Sequence, residues 1–179
     1  MNTLAENQEW PAITLAWRQQ VAAFWSIAWP SLVVAFLLFT FGLDHVSADQ
    51  PLRVFFLGMT AKAAYLIFQG LLTIRLVRMR YRSFRIEVER NDGTSSRRLL
   101  ANEVFLAWLQ IIWPQVLLGV LLDLLVLLLG DNLEELTIRA LSSVSIWGNI
   151  FVAGPFGVYM ATKMKFRRFR LRVYGQRYI

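Results

Sequence analysis

The residues able to do chemistry in this chain are few. There is one histidine, His45, beside Asp44, and there is no cysteine. A lone imidazole completes neither a zinc site nor a nucleophile–base pair, and without cysteine both disulfides and thiolate chemistry are closed to the chain. No glycine-rich phosphate loop occurs, and Asn91-Asp92-Gly93 reads as a turn. The expectation is no enzymatic activity, no cofactor and no metal. Two charges stand out by position instead: Lys62 and Asp123 lie inside long apolar runs, where an ionisable group is costly and marks a pair or a path. At about 1.5 Å per helical residue, Lys62 falls roughly 20 Å beyond Arg75 and Asp123 roughly 27 Å beyond Phe105, so both belong to the outer half of the membrane. An ion pair between them is expected, with snorkelling of Lys62 or a conducting role as the alternatives. Gln69, Gln110, Gln115 and Asn149 read as hydrogen-bonding groups between helices.

The elements that must hold these residues are apolar. Hydrophobic residues make up 56% of the chain and charged ones 17%, and the apolar residues come in blocks: Val21–Phe41, Leu52–Val77, Val104–Leu129 and Ala140–Thr162. A span needs about 20 mostly apolar residues, and only a helix satisfies its own backbone in hydrocarbon. The fold class expected is an all-α integral membrane protein with four transmembrane helices.

The chain also repeats itself. MRYRSFRIEV at 79–88 lies over MKFRRFRLRV at 164–173 at an offset of 85, and the region of Trp29-Pro30 lies over that of Trp113-Pro114 at an offset of 84. Two anchors at nearly one offset indicate two tandem helical-hairpin copies. Each copy contains two crossings, so the copies are parallel, unlike inverted transporter repeats. The boundaries expected are an N-terminal segment at 1–15, a first hairpin with its basic extension at 16–90, a linker at 91–99, and a second hairpin with a basic tail at 100–179.

Lys and Arg set the orientation. Arg78, Arg80, Arg82 and Arg85 follow the second run, and Lys163, Lys165, Arg167, Arg168 and Arg170 follow the fourth. The two other connections are short and lean acidic, so both termini and the central segment are expected in the cytoplasm, most naturally at a bacterial inner membrane. The net charge of +7 is then a topology signal, and the basic residues are candidates for anionic lipid headgroups. A nucleic-acid partner is not expected.

Local patterns refine the picture. Phe84, Ile86 and Val88 alternate with Arg85, Glu87 and Glu89, as Phe169, Leu171 and Val173 do with Arg170 and Arg172. The two-residue period favours short cytoplasmic strands, pairing with each other, with residues 12–15 or with a neighbouring subunit, over cationic amphipathic helices on the bilayer. Tyr81, Phe84, Phe166 and Phe169 read as rings anchored in the interface. Pro30, Pro114 and Pro155 read as helix kinks. The function expected is that of a non-catalytic membrane subunit scaffolding or anchoring a complex, with other membrane or cytoplasmic subunits or a homo-oligomer as partners. A small channel or transporter protomer is the alternative.

Overall fold

A computed structural model of the chain describes residues 11–43, 51–79, 81–129 and 147–175. The helices are α1 (Trp17–Leu43), α2 (Pro51–Leu72), α3 (Arg75–Arg78), α4 (Ala101–Leu129) and, after a π-helical segment at Asn149–Ala153, α5 (Gly154–Lys163). Three strands join them, β1 (Phe84–Arg90), β2 (Ser95–Ser96) and β3 (Phe169–Gly175). Among the described residues three helical stretches, Trp17–Gly42, Phe56–Arg78 and Ala101–Leu122, are long and apolar enough to cross a membrane. Their outward faces are covered with large apolar side chains, among them Phe36 at 68% and Leu71 at 65% exposure. Such a surface is stable only in lipid. The protein is an integral membrane protein with several spanning helices. The fourth apolar run is described from Trp147 onward. Its beginning, His45, and the outer connections lie outside the described residues.

One small antiparallel sheet gathers the ends of the helices, with strand order β2-β1-β3. β1 and β3 pair along their full length, from Phe84 opposite Gly175 to Arg90 opposite Phe169. At the centre Glu87 faces Arg172, residues that correspond at the offset of 85. Residues 11–13 extend the far edge: Ile13 N–H donates to the Val173 carbonyl at 2.8 Å, and Gly175 N–H to the Pro11 carbonyl at 3.0 Å. Both basic exits are therefore strands. Their alternation buries one face of the sheet against the helices. Gly93 closes the β1–β2 turn with φ of 81°, a conformation that favours glycine.

That burial corrects the reading of the four aromatic residues. Phe84 and Phe169 are almost wholly enclosed, Phe166 is buried, and Tyr81 packs on the same cluster. Tyr81 stacks on Phe84 at 4.3 Å and Phe166 on Phe169 at 4.5 Å, each pair 5° from parallel. The rings form the seam between helices and sheet, and neither anchor in the interface nor offer themselves to bases.

The second span is interrupted where the sequence pattern ran on. Thr73 returns its hydroxyl to the Gln69 carbonyl at 2.8 Å, and its N–H goes to Gly70 rather than to Gln69. The tightened turn separates α2 from α3. Pro30 and Pro114, by contrast, sit inside continuous helices. The residue after each proline donates a side-chain hydrogen bond to the carbonyl four positions before itself, Ser31 to Ile27 at 2.9 Å and Gln115 to Ile111 at 3.1 Å. Pro155 lies just after the π-helical segment, inside one continuous helical run at 147–163, and a widened turn of this kind accommodates a residue that cannot donate.

Candidate functional site

Two places concentrate polar chemistry, the outer face of the sheet and the contact of α2 with α4. On the sheet, the side chains that alternate with the buried face form a ladder of acids and bases. Glu89 accepts two hydrogen bonds from Arg170, both at 2.8 Å, and also pairs with Arg172. The Arg170 hydrogen bonds, with Arg172 adding its field, hold the Glu89 carboxyl below the usual carboxylate range. Glu87 pairs with Arg85 at 3.0 Å. On the inner face, next in line after Val88, Arg90 grips Glu103 with two hydrogen bonds of 2.9 Å, and that carboxylate also caps α4 by accepting the Leu100 N–H. Glu103 is buried, so this pair ties the sheet firmly to the base of α4. It was not anticipated. The signal was available in the spacing of Leu100 and Glu103, half of a capping box.

The basic residues thus divide. Arg78, Arg82, Lys163, Lys165, Arg167 and Arg168 are exposed where the chain passes from helix to strand. Arg85 and Arg170 belong to the ladder and are engaged with carboxylates. Arg80 lies outside the described residues. Near the exits, burial raises the Tyr81 hydroxyl pKa, partly offset by its hydrogen bond with Ser26 at 3.1 Å.

Between α2 and α4 the polar groups lie in steps of one or two helical turns. Trp108 donates its indole N–H to the Leu66 carbonyl at 3.0 Å and lies against Gly70. Gln69 and Gln115 exchange hydrogen bonds of 3.3 and 3.1 Å between their amides, as expected of interhelical glutamines. Next comes Lys62, whose Nζ lies 3.4 Å from where a Cβ on Gly119 would be. Asp123 follows Gly119 by one turn of α4. Its side chain is outside the described residues, so the structure brings Lys62 to the right face of α4 without testing the pair. Among the described residues no three His, Cys, Asp or Glu side chains gather as a metal site would require.

No family model, curated protein or solved structure matches this chain. Its function must be read from its own residues.

Proposed function

We propose that this protein is a non-catalytic membrane subunit that scaffolds or anchors a multi-protein complex in a bacterial inner membrane. It crosses four times, as two tandem parallel hairpins, with both termini in the cytoplasm. The observation that carries the reading is the sheet. Segments from the beginning, middle and end of the chain meet in it, on one side of the helices, behind a rim of exposed Lys and Arg. That rim matches the cytoplasmic side by the positive-inside rule. A charged, firmly held platform with short strands at its edges is suited to a protein partner.

Support for the duplication comes from details that recur at the same offsets. Ala16 N–H is capped by Gln19 at 2.9 Å, as Leu100 N–H is by Glu103 at 2.8 Å. Met79 and Met164 end their helices with nearly equal dihedrals, φ −71° and ψ 141° against φ −74° and ψ 135°. Gly70 receives Trp108, and Gly154 receives Phe24. Each of these contacts links one half of the chain to the other.

Gentle purification from native membranes, with identification of what co-migrates, tests the proposal. Stoichiometric partner proteins are the expected result, and a chain that always purifies alone would overturn it. The polar contact between α2 and α4 supports a second reading, a conducting protomer. Ion flux through the purified protein in liposomes would favour that reading.

A further inference from the structure

The sheet edge is incomplete beside the last helix. Residues 11–13 pair with the end of β3, and Lys165 pairs with Arg170 at its start. Between these pairings a cleft of about 330 Å³ opens beside Leu171 and Arg172. Lys163, Lys165, Arg170, Arg172 and Thr14 contribute to its walls, together with apolar Leu15 and Val173. Four cations therefore line it. The carboxylate engaged there is Glu89, already shared between Arg170 and Arg172. Lys165 and Arg170 face each other directly across a β-bridge, an arrangement that like charges disfavour and an anion between them would relieve.

The corresponding edge of the first half is different. At the offset of 85, Glu87 stands where Arg172 stands, and it pairs with Arg85 and Arg97 and accepts from the Ser95 hydroxyl at 2.7 Å. That edge carries a carboxylate where the β3 edge carries an arginine, so the β3 edge keeps the larger excess of positive charge. The cleft also lies at the height where α5 ends at Lys163 and α1 begins with a half-exposed Trp17, the level at which indoles and headgroups meet.

We propose that this cleft binds the phosphate-bearing headgroup of an anionic membrane lipid. Lys163, Lys165 and Arg172 meet the phosphate, the Thr14 hydroxyl meets a headgroup oxygen, and the exposed Met164 side chain on the cleft wall receives the start of an acyl chain. The proposal rests on the sheet lying at the membrane surface and is independent of any scaffolding role.

The test uses the full chain in mild detergent, offered phosphatidylglycerol or phosphatidylcholine, with retained lipid counted by native mass spectrometry. Selective retention of phosphatidylglycerol is expected. Lys163→Gln with Lys165→Gln should weaken that retention roughly tenfold or more, since each basic residue near an anionic surface contributes appreciably. Arg97→Gln with Arg98→Gln, the same charge change at residues outside the cleft, should weaken it far less. Thr14→Phe fills the cleft at unchanged charge and should also displace the lipid, with folding followed by circular dichroism. Equal losses in both double variants, or a folded Thr14→Phe chain that retains lipid normally, would overturn the site. So would full displacement of the lipid by millimolar inorganic phosphate, which would assign the cleft to the free anion. Lipid retention by a chain that purifies without partners would leave this site standing and remove the scaffold.

Discussion

Two helix contacts occupy related places in this molecule and are built differently. Where α2 meets α4, Gly70 takes Trp108, and the next rungs are the paired amides of Gln69 and Gln115 and the Lys62 amine beside Gly119. Where α5 meets α1, Gly154 takes Phe24, and the positions corresponding to the two glutamines are Ala153 and Ser31, both buried. The shared glycine–aromatic rung lies near the sheet, and the differences begin farther from it. The sheet end is over-determined by strand register, caps and aromatic stacks, so it tolerates little change. Deeper in the membrane one contact carries paired amides while the other is made of small residues.

The largest effects should come from the shared rung. Phe24→Ala and Trp108→Ala each remove a large side chain from a tight contact, and costs of about 3–5 kcal/mol are typical of such deletions. Denaturant titration of the purified protein in micelles measures both. A loss under about 1 kcal/mol at either position would break the correspondence between the two contacts.

Glycine replacements sharpen the same comparison. An added Cβ at Gly154 would collide with the enclosed Phe24 ring, whereas one at Gly70 would lie 3.1 Å from Trp108, and one at Gly58 would meet nothing within 4 Å. Overpacking costs about 1–3 kcal/mol. Gly154→Ala should therefore cost more than Gly70→Ala, and Gly58→Ala should stay within about 0.5 kcal/mol of the parent. The reverse order in the same titrations would mean that these contacts are looser than described.

The polar contact has its own signature. Gln69→Leu or Gln115→Leu alone strands a buried amide, at about 1–3 kcal/mol, and the double replacement should recover most of that loss. For Lys62→Leu and Asp123→Leu we expect the same rescue, with single losses below the roughly 3–5 kcal/mol seen on breaking buried ion pairs, because the lysine stem can reach the interface. Additive losses in either cycle would remove that pairing, and ion flux abolished by Asp123→Leu in liposomes would favour conduction.

The smallest effect is one of pH. Arg170 and Arg172 depress the Glu89 pKa in the folded protein. Their contribution is present above the ordinary glutamate value of about 4.3 and is lost as pH falls through the lower folded value. Hydrogen exchange of β1 and β3 amides should accelerate in acid, and the Glu89→Gln chain should lack that added acid sensitivity.

Much of this was legible in the sequence because apolar blocks and a two-residue period each have one simple structural solution. Alternation at 84–89 and 169–174 favoured strands over interfacial helices, and short strands need neighbours, but it was the structure that paired them with each other and with residues 11–13. The fate of the rings was not legible. Tyr81, Phe84, Phe166 and Phe169 sit among arginines in sequence, but alternation places neighbours on opposite faces of a strand, so charge beside a ring says nothing about the ring's own surroundings. The break at Thr73 was hidden for another reason: a side chain competing for a backbone carbonyl leaves the apolar pattern unchanged. Nor could charge counts show that Arg90 would be spent on Glu103 while Lys163 and Lys165 remained exposed.

The central claim is that two parallel hairpins stand on one cytoplasmic sheet, and it turns on the connection between the last two spans. The chain has no cysteine, so single cysteines placed at Asn132 and Gly93 give an unambiguous reading with a membrane-impermeant maleimide. In intact spheroplasts the account predicts labelling at Asn132, with Gly93 labelled only after the membrane is opened. Labelling at Asn132 only after permeabilisation would contradict the second hairpin, and with it the duplication and the four-span topology.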